Sequence, residues 1–179
     1  SSSPYATRLR LMWKDMRADV MNYFLQKKSN LSGDSFLQKM EAQYKLDAYH
    51  SLSIEGYRVT DELINKVRSG EWKPDKDDLD AKNALAARGY WQAFQAVKKS
   101  VSAIFQGEDS AEIAERDLSI WYSEMFMPCV TAGIIKPSDV VGYRSHQVYI
   151  RNSMHTPLSP DALRDAMNTL FSLLKEEPE

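Results

Sequence analysis

The 179-residue chain has an ordinary composition for a domain with a buried core, with 43% apolar residues, 27% charged residues and only seven each of Gly and Pro. Its net charge of −2 leaves no electrostatic footprint for nucleic acid, and a single cysteine excludes both an intrachain disulfide and a cysteine-type zinc site. No run approaches the roughly 18 apolar residues that span a bilayer. We therefore expect a helix-rich cytoplasmic protein with no nucleic-acid and no membrane partner.

Two amphipathic helices are predicted before residue 57. Ser3 and Pro4 are suited to an N-cap and a first helical position, and apolar residues then recur at spacings of three and four to about Lys28. After the loop "SNLSGD", Asp34 is the expected N-cap of a second helix. The stretch "HSLSIEGYRVT", residues 50–60, lies at the end of that helix.

Three more helices are predicted in the middle of the chain. Thr60 is the expected N-cap of a short helix that Gly70 closes, and "EWKPDKDD" follows as a loop. A long helix with a broad apolar face is expected from about Asp78 to the break "QGED". Ser110 starts the next helix, which Pro128 is expected to kink or to end.

The region around residues 132–160 is rich in turn formers, and within it "HQVYI" has the β-branched and aromatic residues of a short strand. We predict a β-hairpin near 144–156, with Val148 and Ile150 on one face of the strand. A last helix begins at Ser159 or Pro160. The apolar face of that helix carries Leu170, Phe171 and Leu174. The predicted fold class is therefore mainly α, with six or so helices and one short β-hairpin.

No complete active site is visible within the chain. His146 and His155 could face each other across the hairpin, but two imidazoles without a carboxylate make a poor metal site. There is no GxGxxG, GxxxxGK[ST] or GxSxG motif, and "DKDD" lacks calcium-loop spacing. Cys129 is most simply a buried small residue. The sequence thus assigns no catalytic residue and no metal ligand.

One motif does resemble a known family. Ser51-Leu52-Ser53-Ile54-Glu55-Gly56 matches the [S/T]xxxE[G/N] motif of the inhibitory helix in Fic-domain proteins, and "AYHSLSIEGYRVTDELI" is similar to its usual context. The run "VGYRSHQVYIRNSMHTPLSPDALRDAMNTLFSLL" also looks like a later part of that family. Together the resemblance covers roughly residues 40–179. It implies a Fic-like helical bundle and transfer of AMP from ATP to hydroxyl side chains of target proteins.

The resemblance also implies a regulatory role for Ser51, Glu55 and Gly56. In similar proteins this Glu pairs with the second Arg of the catalytic signature HPFx[D/E]GNGRxxR, which otherwise holds the γ-phosphate of ATP. Gly56 would let the backbone turn, and Ser51, one helical turn earlier, could steady the carboxylate. The simpler interpretation of the same residues is an exposed acid, a helix C-cap and a surface hydroxyl.

The resemblance further implies that the hairpin is a flap that docks an extended target segment by strand addition, with Gln147, Val148, Tyr149 and Ile150 as candidate contacts. The catalytic signature does not occur in the sequence. We therefore expect residues 1–70 to form a helical region with the inhibitory helix near 40–56. Residues 71–179 would be the first part of a Fic-like core. ATP and Mg²⁺ would be cofactors of the intact enzyme, bound by no motif in this chain.

A second hypothesis belongs to another class. The chain could be a non-catalytic helical interaction module, or an antitoxin-like partner of a separate Fic chain. The two hypotheses differ in whether the same polypeptide continues into the catalytic signature. Both hypotheses allow self-modification and a homo-oligomer. Neither hypothesis identifies the target protein or establishes that AMP is the transferred group.

Overall fold

The computed structural model describes residues 3–25, 31–72 and 81–178, which contain six α-helices, one short 3-10 helix and no strand. The helices are α1 (Pro4–Leu25), α2 (Gly33–Ile54), α3 (Asp61–Ser69), α4 (Ala81–Phe105), α5 (Ser110–Thr131) and α6 (Pro160–Glu176), and the 3-10 helix spans Pro137–Val140. The prediction of a mainly α protein is confirmed. None of the helices in the described ranges is long and apolar enough to cross a membrane.

The chain divides into two compact units. One unit comprises Ser1–Asn30, Ser110–Glu112 and Gly142–Glu179, and the other comprises Leu31–Asp109 and Ile113–Val141. The first unit therefore holds α1 and α6, and the second holds α2, α3, α4 and most of α5. The functional division at residue 70 stays a prediction.

Local capping chemistry sets most of the helix ends. The Ser3 hydroxyl accepts a hydrogen bond from the Ala6 N–H at 3.2 Å, and Pro4 opens α1 as predicted. The Thr60 hydroxyl accepts from the Leu63 N–H at 3.1 Å, and Gly70 closes α3 with a left-handed φ of 76°. Each of these caps depends on residues within a few positions of each other, so it can be predicted from the sequence.

Other boundaries differ from the prediction. Ser32, and not Asp34, is the N-cap of α2, because its hydroxyl accepts from the Ser35 N–H while Asp34 lies in the first turn. Pro128 does not end α5, which continues to Thr131. The predicted end of the first helix near Lys28 and the predicted start of the long helix near Asp78 lie outside the described residues, as does "DKDD".

Tyr44 is the centre of the core of the second unit. It is 0% exposed, and its ring lies 4.7 Å from that of Trp91 and 5.0 Å from that of Phe94, both on α4. Ala48 and Leu52, four and eight residues later on α2, are also buried. This i, i+4, i+8 stripe fixes which side of α2 faces α4.

A close approach joins α4 to α5. A Cβ added to Gly89 would overlap the Met125 carbonyl oxygen and lie 2.9 Å from the carbonyl carbon. Further along the two helices, the Ser100 hydroxyl donates to Asp117 at 2.7 Å and accepts from the Trp121 indole N–H at 3.0 Å. Both Ser100 and Asp117 are buried, so α4 and α5 share a polar contact as well as a steric one.

In the first unit, charged and aromatic groups of α1 hold the end of α6. Arg17 forms a salt bridge with Glu177 at 2.8 Å, and the Trp13 indole N–H donates to the same carboxylate at 2.6 Å. Phe171 is buried, whereas Leu170 and Leu174 are half-exposed. The predicted apolar face of α6 is therefore covered at Phe171 and partly open at Leu170 and Leu174.

Because of the close approach at Gly89, an Ala substitution there is predicted to destabilise the protein, the reverse of its usual effect in a helix. Ala normally stabilises a helix interior over Gly by about 1 kcal/mol. Gly89→Ala should instead lower the free energy of unfolding by about 2 kcal/mol, because the added methyl group meets the backbone of α5. Urea unfolding measures the change, and Arg88→Ala, an exposed neighbour, is the matched control. A Gly89→Ala protein as stable as the parent would contradict the close contact.

The buried carboxylate of Asp117 predicts a pH dependence. Hydrogen bonds from Arg116 and Ser100 lower its pKa. A lowered folded-state pKa adds stability above the ordinary Asp value of about 3.9, and this stability is lost as the pH falls through the folded-state pKa. Asp117→Asn should therefore cost about 1–2 kcal/mol at neutral pH and progressively less below about pH 4.

Urea unfolding of the parent and Asp117→Asn proteins across this pH range tests that expectation. Asp47→Asn, at an exposed position on α2, is the control and should leave stability nearly unchanged. A difference between parent and Asp117→Asn that stays constant down to pH 2 would show that the Asp117 charge makes no contribution.

Candidate functional site

Glu55 is the C-cap of α2, and the turn after it is a Schellman motif. The Tyr57 N–H donates to the Leu52 carbonyl at 2.9 Å, and the Gly56 N–H donates to the Ser53 carbonyl at 3.0 Å. Gly56 has φ +86°, and a Cβ there would meet no atom within 4 Å. The left-handed backbone, and not a lack of space, therefore favours Gly at this position.

The Glu55 carboxylate has no cationic partner in the described part of the chain. Glu55 is exposed, and none of the salt bridges among the described residues includes it. The last turn of α2 carries no basic residue. Because the C-terminus of a helix already has partial negative charge, a carboxylate there is unfavourable unless a cation lies nearby.

The Ser51 hydroxyl faces Tyr90 of α4 and not the Glu55 carboxylate. The Ser51 and Tyr90 hydroxyls lie 3.5 Å apart, and the Ser51 backbone carbonyl accepts from the Glu55 N–H at 3.3 Å. The expected hydrogen bond from the Ser51 side chain to the Glu55 carboxylate is not formed. The rotation of α2 set by Tyr44 and Leu52 places Ser51 beside α4, where Tyr90 lies near its hydroxyl.

Asn83 holds the segment that follows the motif. Its side-chain oxygen accepts from the Arg58 N–H at 3.0 Å, and the next residue, Val59, is buried. Thr60 then caps α3. Nothing local in the sequence indicates that the first turn of α4 meets residue 58.

Glu55 lies at the edge of a groove of about 590 Å³. The groove is lined mainly by apolar side chains of α2, α4 and α5 and of the chain after α5: Ser51, Leu52, Ile54, Glu55, Tyr57, Ala86, Tyr90, Met125, Phe126, Cys129 and Ile135. Partial burial raises the pKa of the Cys129 thiol. The lining includes no Lys or Arg, so these residues offer an apolar surface and one carboxylate.

This groove alone does not fit a nucleotide triphosphate. A triphosphate needs cationic or N–H donors, and the lining has a carboxylate that would repel it. The described residues also contain no group of three or more His, Cys, Asp or Glu that could hold a metal ion. No ATP or Mg²⁺ contact is therefore assigned to these residues.

The predicted hairpin is absent. Residues 144–156, all of them described, contain no strand, and the described backbone shows no ladder hydrogen bonds there. Gln147 and Val148 are half-buried, whereas Tyr149 and Ile150 are 77% and 52% exposed. Burial therefore does not alternate along residues 147–150.

Side chains replace the expected strand pairing. Arg144 donates to the His146 carbonyl at 2.8 Å and to the Leu158 carbonyl, and the Gln147 amide donates to the Pro157 carbonyl at 2.9 Å. These bonds join the two ends of the segment without a second strand. Residues 147–150 thus have no regular secondary structure.

Comparison with protein-family models, curated proteins and solved structures finds no match to this chain. The motif and the geometry of Glu55 are therefore the features that bear on function. The family assignment stays a prediction.

The Asn83 contact predicts a local effect close to Glu55. Asn83→Ala should speed amide hydrogen exchange at residues 56–59 by about fivefold, because it removes a hydrogen bond worth about 1 kcal/mol. Lys82→Ala, at an exposed position one residue earlier, is the control. Unchanged exchange at 56–59 in Asn83→Ala would show that Asn83 does not hold this segment.

Proposed function

We propose that this chain is the regulatory, N-terminal portion of a Fic-type enzyme that transfers AMP from ATP to a hydroxyl side chain of a target protein. In this proposal Glu55 is the residue that inhibits the enzyme, and we call it the brake. The observation that carries it is an exposed carboxylate, held at a helix end by a Schellman turn, that has no cationic partner among the described residues. Its position within Ser51-Leu52-Ser53-Ile54-Glu55-Gly56 supports the same interpretation.

The brake acts by charge pairing. Glu55 pairs with an Arg supplied by the catalytic signature, and a carboxylate–guanidinium pair can be bidentate and strong when water is excluded. That Arg is then withheld from the γ-phosphate of ATP. The apolar groove next to Glu55 supports this. Apolar residues of the catalytic half that pack into the groove would exclude water and lower the dielectric around the charge pair.

The nucleotide and Mg²⁺ belong to the catalytic half in this proposal. The groove beside Glu55 has no cation for a triphosphate, so the described residues regulate the reaction and do not carry its chemistry. The stretch Gln147–Ile150 is the proposed docking site for the target. A target segment would add to it by backbone hydrogen bonds, which need no particular target sequence.

One observation also favours the antitoxin-like alternative. Because Glu55 and the groove are open, a separate chain that carries the signature could supply the Arg equally well. The two versions differ in covalent connection and share the role of Glu55. Sequencing the reading frame beyond Glu179 and adding this chain to a separate Fic catalytic chain distinguish them.

Removal of the Glu55 charge should activate the intact protein. Glu55→Gly and Glu55→Gln should each raise incorporation of labelled AMP by about tenfold or more, since a hydrogen-bonded charge pair is worth about 1.5–3 kcal/mol. Glu71→Gln, which neutralises an exposed acid beyond α3, is the control and should leave the rate unchanged.

Equal incorporation by the parent and the Glu55→Gly protein would contradict the inhibitory role. Urea unfolding of the same proteins should accompany the assay. Glu55→Gln is expected to keep or slightly raise stability, because the charge it removes is unfavourable at the end of α2.

A further inference from the structure

Helix α1 carries a stripe of exposed apolar side chains along one side. The stripe consists of Tyr5, Met12, Met16 and Tyr23, which are 39%, 48%, 48% and 63% exposed. At about 100° of rotation per residue, all four lie within about 40° of each other around the helix axis. None of the described side chains of α1 is buried. The stripe is therefore an apolar surface that the packing of α1 on α6 leaves open.

The apolar surface continues onto α6. Met12 and Met16 line a groove of about 240 Å³ together with Leu170 and Leu174, and these two leucines are 47% and 41% exposed. The rest of the lining is apolar except for Glu177, whose carboxylate already pairs with a cation of α1. A contiguous apolar face of this kind, in contrast to scattered apolar residues, marks an interaction surface.

The order of residues along the stripe is symmetric. Met12 and Met16 lie two positions on either side of residue 14, and Tyr5 and Tyr23 lie nine positions on either side of it. A two-fold interface sets residue i of one copy against residue j of the other, and residue j against residue i. Two antiparallel copies of α1, centred at the level of residue 14, would therefore set Met against Met and Tyr against Tyr.

The charges beside the stripe are complementary in the same arrangement. Arg8 and Asp19 are exposed, and no salt bridge among the described residues includes either. They lie on one side of the stripe, about 60° and 40° from its centre, whereas Asp15 lies further out at about 80°. In the antiparallel pair, Arg8 of one copy and Asp19 of the other differ in height by about 1.5 Å. A parallel pair would instead set like charges against each other.

We propose that this chain forms a two-fold symmetric homodimer in which two copies of α1 pack antiparallel along this stripe, with Arg8 of each copy paired to Asp19 of the other. Methionine side chains of the second copy fill the groove between α1 and α6, since the unbranched thioether adapts to irregular spaces. The inference goes beyond the proposed function and does not depend on it, because the stripe contains no residue of the Glu55 motif.

Sedimentation velocity of the full chain at increasing concentration tests the dimer. The parent should shift from monomer to dimer. Met16→Glu should raise the dimer dissociation constant by about 100-fold or more, because each dimer loses two buried methionines and gains two unpaired buried carboxylates. Met154→Glu makes the same change at a fully exposed position outside the stripe and, as the matched control, should leave the dimer unchanged. Thermal unfolding of each variant checks that the fold is kept.

Charge exchange tests how the two helices are aligned. Arg8→Glu and Asp19→Arg should each raise the dissociation constant by about tenfold, since each single change leaves two like-charge pairs in the dimer. The protein with both changes has opposite charges at both pairs again, and it should dimerise nearly as well as the parent. A double variant that dimerises no better than the single variants would overturn the proposed alignment.

Cross-linking tests the direction of the two helices. The chain's one cysteine is first removed by Cys129→Ala. In that background, a short bismaleimide should join Tyr5→Cys and Tyr23→Cys proteins only when the two are mixed, because equivalent positions of the two copies lie about 27 Å apart along the helices. Cross-linking of Tyr5→Cys protein alone would indicate a parallel pair and would overturn the proposal. A parent chain that stays monomeric would also overturn it and would assign the stripe to another partner, such as the catalytic half.

Discussion

The packing of Tyr44 determines where the candidate site lies. With Tyr44 buried against Trp91 and Phe94, α2 has one rotation about its axis on α4, and Ala48 and Leu52 are buried in the same core cluster. This rotation turns Ser51 towards Tyr90 and brings the end of α2 to the edge of the apolar groove. The position of Glu55 is therefore a consequence of core packing some three helical turns away.

Glu55 itself is locally unfavourable. A charge of the wrong sign at a helix terminus costs about 0.3–1 kcal/mol, and the last turn of α2 has no basic residue to offset it. The surrounding residues nevertheless follow local rules closely, with Gly56 in the left-handed conformation and Thr60 as an N-cap. A residue that breaks a local structural preference, within a segment whose other residues follow these preferences, is typical of a functional site.

Features that depend on residues close together in sequence were predictable, and features that depend on distant residues were not. The caps at Ser3, Thr60 and Gly70 depend on residues within a few positions of each other, so the sequence displays them. The predicted strand at 146–150 did not form. Strand pairing depends on a partner that is often distant in sequence, and here Arg144 and Gln147 side chains bond to the backbone instead.

The same reasoning applies to the site. The sequence indicated Glu55 and Gly56 through their motif and through helix-end chemistry, and the structure places both at that end. It could not indicate Asn83 or Gly89, because each acts on a residue some 25 to 36 positions away. Ser51 was assigned to the wrong partner for the related reason that its neighbour on the helix is nearer in sequence than Tyr90.

Stiffness of the Glu55 turn limits how a brake of this kind is released. The Schellman bonds, the Asn83 contact to Arg58 and the burial of Val59 hold both sides of the turn. Unwinding only this turn would break several hydrogen bonds, each worth about 1 kcal/mol. Competition for the Arg partner breaks none of them, since it needs only the exposed carboxylate to lose its cation. On the proposed function, release is therefore favoured through the partner of Glu55, by phosphate or by movement of the catalytic half, and α2 keeps its structure throughout.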